Sequence, residues 1–448
     1  MEKSTKLSKS LLLNIILFGF MGQVAWAVEN NFFNMYLFNR VGGNEYDIAN
    51  MVAASAVTAM LSSLFMGSLS DKLNKRKIFI CGGYILWGIT VMSFAFITPE
   101  TVSKITGNPV VACIPVAVTL VIVMDCVMTF MGSTSNDAAF NAWVTDVTNP
   151  SNRTLTETIL AIVPVLALVV VTAAFGSLSG IFGYGPCFIG LGVLVTICGV
   201  VGIFTIKDSR NGIKTSASFF ECLTYGFRPS VIKGNKSLYI ALVCMGIFSI
   251  SSQVFFPYLF IYIQHYVDMG TLSSTPIYII IPCVIALIGV ILLLVKLYTS
   301  IDKVGKAKIA FPCSAIFVIG LALVHFAGKN FWFFAVTILL GLAGYALLMI
   351  LLNAAIRDFT PEDKAGQLQG IRMIFSVLLP MIIGPRVAAT VIDRFAVDTY
   401  VNEYGTAVNI PVPHIYLASA LIGVTIFIPL VFLAREFKKS DSAKSAKQ

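Results

Sequence analysis

Two carboxylates, Glu29 and Asp125, lie inside long apolar stretches of this sequence. An ionised carboxylate costs about 2.5 kcal/mol or more at the centre of a bilayer, so it normally faces a cavity or a partner group. A carboxyl group held away from bulk water can also gain and lose a proton near neutral pH as its exposure changes. We therefore expect Glu29 and Asp125 to bind a cation, most simply a proton, and to couple its movement to another process.

Polar side chains share helical faces with the two carboxylates. At about 100° per residue, Asn30 and Asn34 lie within about 40° of each other on the same stretch as Glu29, and Thr129 lies about 40° from Asp125. Amide groups that face lipid are costly, so these side chains are expected to line a polar cavity. Extended to the later stretches, the same reasoning gives the candidate solute-binding residues Gln23, Trp26, Asn30, Asn34, Thr129, Gln253, Tyr258, Tyr345 and Arg372.

Twelve apolar stretches carry these polar residues. The chain of 448 residues is 57% hydrophobic and 12% charged, with a mean hydropathy of +0.87, which excludes an ordinary soluble protein. A helix needs about 20 apolar residues to cross a bilayer. The stretches are continuous rather than alternating, which favours helices over a barrel of strands. They cover residues 11–38, 47–69, 78–97, 110–141, 154–180, 185–206, 238–264, 275–299, 309–326, 331–356, 367–392 and 413–434.

The basic residues predict the topology. If both termini are cytoplasmic, 25 of the 31 Lys and Arg residues lie on that side and four lie outside, as the positive-inside rule requires. The net charge of +9 is then a topology signal rather than a sign of nucleic-acid binding. Arg372 and Arg386 fall within one stretch, about 40° apart, and are expected to face one space. We predict a multi-pass protein of the cell membrane whose first helix is retained.

No residue pattern points to catalysis or to a bound metal. The nine Cys residues lack CxxC spacing, and the three His residues lie at or near the predicted outer ends of stretches. The sequence also has no phosphate-binding loop. We therefore expect no cofactor, no metal site and no enzymatic activity.

Two charged connections recur in the same order in each half of the chain. Asp71–Lys77 returns as Asp302–Lys308, and Asn141–Thr148 returns as Asn353–Thr360. The repetition predicts two pseudo-symmetric bundles of six helices, and such duplication in a membrane is typical of transport proteins. The expected domains are 1–206 and 237–434, joined by a cytoplasmic loop at 207–236 and followed by a cytoplasmic tail at 435–448.

The first of these connections resembles a known loop. Gly67-Ser68-Leu69-Ser70-Asp71-Lys72-Leu73-Asn74-Lys75-Arg76-Lys77 resembles the loop between the second and third helices of the major facilitator superfamily. The resemblance implies the all-α, twelve-helix membrane fold of that superfamily, with two bundles that rock about a central site. Small residues at Gly67 and Ser70 are expected to let helices approach closely.

A narrower resemblance involves later motifs. Asp358-x-Thr360-Pro361, with Gly366-x-x-x-Gly370 and Ile383-Gly384-Pro385, is similar to the pattern of glycoside–pentoside–hexuronide cation symporters and sucrose carriers. Asp146-x-Thr148-x-Pro150-x-x-Arg153 is the counterpart in the first half. Two features of melibiose-type members are missing, namely acidic residues within the second helix and a basic residue in the fifth. The gating or structural residues implied by both resemblances are Gly67, Asp71, Arg76, Asp146, Arg153, Asp302 and Asp358.

These observations predict a secondary active transporter of a small polar solute, with a sugar or glycoside as first choice and symport of a proton or another cation. Its partners would be the solute, the coupling cation and the lipid bilayer, and the chain would act as a monomer. Two alternatives remain open: a proton-coupled exporter of drugs or amphipathic metabolites, and a non-transporting membrane sensor. The 154–180 stretch lacks the Gly-Pro-rich motif typical of such exporters, and only about fourteen residues follow the last stretch.

Overall fold

A computed structural model describes residues 8–73, 75–148, 150–208, 224–268, 306–361, 364 and 367–445. Within these residues, ten helices are long and apolar enough to cross a membrane. The bent pair His414–Val424 and Phe427–Lys439 gives an eleventh if it forms one span. These helices coincide with eleven of the twelve predicted stretches. The remaining stretch, 275–299, lies outside the described residues.

The helices and strands are numbered here in chain order. Two short antiparallel strands pair Thr399 with Asn409 and form a hairpin that adds to the predicted all-helical fold. The described elements are α1 Lys9–Val41, α2 Glu45–Leu73, α3 Arg76–Phe96, α4 Pro99–Thr106, α5 Val110–Val147, α6 Pro150–Val170 with its extensions Val171–Phe175 and Gly176–Phe182, α7 Tyr184–Thr205, α8 Pro229–Gly234, α9 Lys236–His265, α10 Lys306–His325, α11 Phe331–Phe359, α12 Gln369–Phe395, β1 Thr399–Val401, β2 Ala407–Asn409, α13 His414–Val424 and α14 Phe427–Ser445.

Local sequence signals set several helix ends. The Thr98 side chain caps the first turn of α4, where Pro99 occupies the first position. At the start of α11, Asn330 Oδ1 accepts a hydrogen bond from the backbone N–H of Phe333 at 2.9 Å. Gly42 ends α1 with a φ of 89°, a left-handed conformation that favours glycine. α11 therefore begins where its apolar stretch begins, whereas α4 lies between two stretches.

Several membrane helices contain π-helical segments. A π turn takes up an extra residue, so it rotates the later side chains relative to a regular α-helix, and such turns are frequent at functional sites. An assignment of residues to one helical face at about 100° per residue is therefore not valid across these segments. The segments are Glu29–Phe33 and Leu37–Val41 in α1, Ser133–Phe140 in α5, Val171–Phe175 in α6 and Ile374–Leu378 in α12.

The chain divides into two compact units. Unit 1 contains most of the chain up to residue 221, and unit 2 contains most of the chain after it. The first residues of α2 belong to unit 2, and the tip of the hairpin belongs to unit 1. Unit 1 comprises the described residues of Met1–Gly43, Ala54–Glu221 and Asn402–Thr406, and unit 2 those of Asn44–Ala53, Cys222–Val401 and Ala407–Gln448.

Glycines allow close helix packing inside each unit. In unit 1, a Cβ added at Gly88 of α3 would lie 2.4 Å from the backbone oxygen of Gly192 in α7. In unit 2, a Cβ added at Gly320 of α10 would lie 2.3 Å from the backbone nitrogen of Gly341 in α11. No side chain fits at these points, so the backbones touch and the helices gain dispersion contacts that lipid cannot supply.

A polar cluster in unit 1 holds the hairpin tip, Asn402–Thr406. Arg40 Nη1 lies 2.6 Å from Glu403 Oε2 and 2.9 Å from Glu100 Oε1. The Tyr404 hydroxyl lies 3.0 Å from the same Glu100 oxygen, and Asn402 Oδ1 accepts a hydrogen bond from the Tyr404 backbone N–H. One guanidinium is thus shared between two carboxylates, which fixes the tip against the end of α1.

Candidate functional site

The structure places Glu29 among hydroxyl groups in unit 1. Glu29 is 8% exposed and is the first residue of the π-helical segment in α1. Its Oε1 accepts hydrogen bonds from Ser55 Oγ at 3.1 Å and from Thr129 Oγ1 at 2.9 Å. The two hydroxyl oxygens are themselves 2.8 Å apart. Helices α1, α2 and α5 therefore each contribute one oxygen to a triangle.

Asp125 lies one helical turn before Thr129 in α5 and is 2% exposed. Its charge disfavours a charge on Glu29, so the two carboxyl groups interact electrostatically. Asp125 Oδ1 and Glu29 Oε2 are both buried, and neither has a hydrogen-bond partner among the described residues. No described Lys or Arg forms an ion pair with either group. We call Glu29, Asp125, Ser55 and Thr129 the acidic cluster.

Aromatic and charged side chains lie near the acidic cluster. The half-buried Trp26 ring packs on Trp87 with 5.0 Å between ring centroids. Gly132 makes room for both rings, because a Cβ there would lie 2.9 Å from the Trp87 ring. The exposed Asp137 side chain lies beside Trp26, and its charge also acts on Glu29. Unit 1 thus presents an aromatic face and a charged acceptor next to the acidic cluster.

The predicted amides of α1 bond mainly to their own helix. Asn30 is exposed, and its Nδ2 donates to the backbone oxygen of Trp26 at 2.8 Å. Asn34 is 2% exposed, and its Nδ2 donates to the backbone oxygen of Asn30 at 2.9 Å. Gln23 is half-buried. Asn30 is therefore the α1 amide with most access to a solute in this structure.

The predicted solute-binding residues of α9 and α11 have mixed surroundings in unit 2. Tyr258 is fully buried, and its hydroxyl donates to the backbone oxygen of Glu45 at 2.7 Å, so its place in a solute site stays a prediction. Gln253 is half-buried, and it packs so closely on α12 that a Cβ at Gly384 would lie 2.6 Å from the Gln253 Cβ. Tyr345 is half-buried, and its ring packs on the Phe248 ring with 5.1 Å between centroids.

The two arginines of α12 do not share one space, contrary to the prediction. They are fourteen residues apart, about 21 Å along a helix, and the π-helical segment Ile374–Leu378 separates them. Arg372 is exposed and lies in the field of Arg357. The Arg386 guanidinium lies 5.0 Å from the centroid of the Tyr46 ring in unit 2. A helical wheel ignores this axial distance, which keeps the two side chains apart.

The charged connection between α2 and α3 centres on Arg76, which is 4% exposed. Arg76 Nη1 donates to Ser70 Oγ at 2.6 Å, and Arg76 Nε donates to Asp146 Oδ2 at 3.1 Å. The guanidinium also pairs with Asp71. The expectation that Gly67 allows a close helix approach is wrong, because a Cβ there would have only Ala138 Cβ nearby, at 3.7 Å.

The remaining predicted gating residues are less informative. Asp358 is exposed near the end of α11. The side chain of Arg153 and the whole of Asp302 lie outside the described residues.

Sequence reasoning missed Ser55 and Trp87, and it interpreted Asp137 as a gate or loop residue rather than as part of the candidate site. Ser55 gave no signal, because a lone serine in a helix commonly bonds to its own backbone. Trp87 reads as an ordinary core residue, and it is fully buried. Asp137 did carry a signal, since it is an acidic residue within an apolar stretch.

Comparison with protein families gives one match. The sequence profile described as Major Facilitator Superfamily matches residues 15–385 and, in a second match, residues 301–447. A comparison with curated protein sequences finds no significant match.

Three solved structures of transporters are similar to this chain. A point mutant of the nucleoside transporter NupG has a TM-score of 0.68 at 12% identity, covering 94% of this chain and 99% of that chain. A second NupG structure has a TM-score of 0.65 at 15% identity, covering 94% and 98%. A bacterial homologue of the human lysosomal transporter Spinster, inward-facing and unoccupied, has a TM-score of 0.59 at 14% identity, covering 96% of each chain. At these identities the likeness concerns the fold alone.

Proposed function

The chain belongs to the Major Facilitator Superfamily, and from that premise we propose that it moves a small polar solute together with a proton. Family and fold make it a secondary transporter of the membrane rather than an enzyme. Transporters with such paired bundles work by alternating access, in which the bundles rock about a central site. The proposal concerns the coupling ion, the solute and the residues that hold them.

The observation that supports proton coupling is the oxygen triangle of unit 1. Glu29 Oε1, Ser55 Oγ and Thr129 Oγ1 make three contacts of 2.8 to 3.1 Å. The two hydroxyls supply only two protons. A proton on Glu29 Oε1 supplies the third: Oε1 then donates to one hydroxyl, that hydroxyl donates to the other, and the other donates back to Oε1, so that every contact in the triangle becomes a hydrogen bond. The arrangement therefore fits a protonated Glu29 in this conformation.

Asp125 makes the binding of that proton reversible. Two charged carboxylates are unfavourable together in a low-dielectric environment, so the pair holds one proton more readily than none. We propose that Glu29 carries the proton here and that Asp125 accepts it when the transporter changes conformation. The proton passes from the carboxyl of Glu29 to the carboxylate of Asp125, and the charge of the pair stays constant.

Sodium is the second candidate for the coupling ion. Two buried carboxylate oxygens, Glu29 Oε2 and Asp125 Oδ1, have no partner among the described residues. Together with Ser55 Oγ and Thr129 Oγ1 they form an all-oxygen ligand set of the kind that hard cations prefer. A sodium ion at this place would neutralise the same pair that a proton does.

A sugar or glycoside is the proposed solute. The narrower sequence resemblance favours this class, and the half-buried Trp26 with the exposed Asn30 and Asp137 offers an aromatic face and hydrogen-bonding groups. Nucleosides are themselves glycosides, so the likeness to a nucleoside transporter adds them to the compounds that we would test. Export of drugs or amphipathic metabolites by proton antiport would use the same acidic cluster and remains the alternative.

Transport by the purified chain in proteoliposomes tests the proposal. A thermal-shift screen of sugars, glycosides, nucleosides, amino acids and cationic drugs would first identify a solute. We expect an inwardly directed proton gradient to drive accumulation of that solute, and a sodium gradient alone to have no effect. Accumulation that requires a sodium gradient would identify sodium, instead of a proton, as the coupling ion. Extrusion of the solute driven by an inward proton gradient would favour the exporter. Exchange without any effect of either gradient would contradict cation coupling.

A further inference from the structure

Two of the three histidines meet at one point of unit 2, although 88 residues separate them in the sequence. His325 is the last residue of α10, and His414 is the first residue of α13. Their ring centroids are 4.8 Å apart, and the ring planes are inclined by 72°. The fold therefore brings two imidazoles together where the sequence alone showed two isolated side chains.

Packing restricts the position of both rings. The His414 ring stacks on Phe395 with 4.7 Å between centroids and 9° between planes. The His325 ring meets Phe326 edge-on at 5.2 Å. Both histidines are half-buried, so part of each ring can still be reached from outside the protein. Aromatic neighbours that fix an imidazole reduce the entropy that it loses when it binds a ligand.

The Nδ1 atoms of both histidines lack a partner. Each Nδ1 is buried, and neither has a hydrogen-bond partner among the described residues. A buried polar atom without a partner destabilises the folded state. One hydrogen bond between the two rings would satisfy both atoms, but the structure does not form it. Protonation of both rings would place two positive charges side by side. A shared cation, held by a lone pair from each ring, satisfies both nitrogens at once.

We propose that His325 and His414 form a binding site for a first-row transition-metal ion such as Ni²⁺ or Zn²⁺. Neutral imidazole is a common ligand of these ions, at a metal–nitrogen distance of about 2.0–2.1 Å. Two nitrogens on one such ion are roughly 3 Å apart, which rings with centroids 4.8 Å apart can provide. Among the described residues, no group of three or more His, Cys, Asp and Glu side chains is arranged to hold a metal ion. Water therefore completes the coordination, and the ion exchanges readily.

The site has a structural consequence of its own. A bound ion would link the end of α10 to the start of α13, and the negative end of the α10 dipole favours a cation beside His325. The acidic cluster belongs to unit 1 and the histidine pair to unit 2. The proposal is thus independent of the coupling mechanism, and either one can fail without the other.

Thermal unfolding of the full chain, purified without a histidine tag and stripped of metal, tests the site. We expect Ni²⁺ and Zn²⁺ to raise the Tm by about 2 °C or more at saturation, since a ligand that binds only the folded state stabilises it. Mg²⁺ should have no effect, because it prefers oxygen ligands. His325→Phe and His414→Phe keep an aromatic ring but no ligand nitrogen, so each should abolish the shift.

His265→Phe is the matched control, because His265 is the third histidine and packs on Tyr400. This variant should keep the full response to Ni²⁺ and Zn²⁺. Measurement of bound Ni²⁺ after gel filtration provides a second readout, with one ion per chain expected in the wild type and none in either site variant. A wild type that does not respond, or a response that survives in both site variants, would overturn the proposal. A metal response that survives in both His325→Phe and His414→Phe would point to the cysteines as ligands.

Discussion

Glu29 and Arg76 are both buried ionisable residues of unit 1, but their partners differ in kind. Arg76 is surrounded by two carboxylates and a hydroxyl, so its charge is compensated in place. Glu29 has two hydroxyls and another acidic residue as neighbours and no described base. A compensated charge stabilises one arrangement of the chain, whereas a buried acid without a counter-charge binds a proton and releases it only when its surroundings change. On this difference we propose a structural role for Arg76 and a coupling role for Glu29.

Replacement of Arg76 tests the structural half of this contrast. We expect Arg76→Ala to lower the free energy of unfolding by about 3 kcal/mol, because Asp71 and Asp146 lose their counter-charge. The free energy of unfolding of Arg76→Lys should lie between those of the wild type and Arg76→Ala, because an ammonium group lacks the planar fork that reaches several acceptors. Lys72→Ala removes an exposed neighbouring charge and should change the value by about 0.5 kcal/mol or less. Equal unfolding curves for Arg76→Ala and Lys72→Ala in detergent would refute the structural role.

Glu100 makes the hairpin-tip cluster sensitive to pH. Burial raises the pKa of the Glu100 carboxyl, but hydrogen bonds outweigh this and hold the pKa below 4.5; the donors are its own backbone, Thr98, Tyr404 and Arg40. Because the folded pKa is lowered, the stabilisation is fully present above about pH 4.5 and is lost as the pH falls through the folded value. We expect the Tm of the wild type to fall more between pH 5 and pH 3 than the Tm of Glu100→Gln. Parallel pH profiles for the two proteins would contradict this.

At the scale of helices and strands, the sequence predicted what depends on composition. Eleven apolar stretches became helices because their hydropathy and length leave no other structure in a bilayer. The π-helical segments were not predictable, because they arise from packing and insert a residue without any fixed motif. A helical wheel also ignored the axial distance between Arg372 and Arg386, whereas Asp125 and Thr129 lie one turn apart in α5. The pairing of His325 with His414 depends on tertiary packing and was equally out of reach.

Neighbouring glycines of α3 give a direct test of helix packing. A Cβ at Gly83 would lie 2.5 Å from Ser135 Cβ in the π-helical segment of α5, whereas a Cβ at Gly82 would have nothing within 4 Å. We expect Gly83→Ala to lower the free energy of unfolding by about 1–3 kcal/mol through overpacking. Gly82→Ala should raise it by about 0.5–1 kcal/mol, because alanine loses less entropy in a helix. Changes of the same sign in both variants, measured by thermal unfolding, would argue against this packing.

At the scale of the whole molecule, the bounds of the two halves and the orientation of the chain remain predictions. The repeated charged connections predict bundles at 1–206 and 237–434, and the distribution of basic residues predicts that both termini are cytoplasmic. The family match supports the paired-bundle fold over most of the chain. We propose this topology, with the loop 207–236 and the tail 435–448 on the cytoplasmic side and with the chain acting as a monomer.

Labelling of single cysteines in intact cells tests the topology. In a background without the nine native cysteines, Gly212→Cys and Ser445→Cys should not react with an impermeant reagent from outside. Lys104→Cys in the exposed part of α4 should react and serves as the positive control. Reaction at position 212 or 445 before the cells are permeabilised would reverse the orientation.

The central claim is that the acidic cluster couples a proton to solute movement, and Asp125→Asn tests it most directly. Asparagine keeps the size of the side chain but cannot accept a proton from Glu29. In proteoliposomes, we expect Asp125→Asn to lose accumulation driven by a proton gradient and to retain exchange of solute across the membrane. Unchanged accumulation in Asp125→Asn, together with an inactive Glu29→Gln, would assign coupling to Glu29 alone. Unchanged accumulation in both variants would contradict the account.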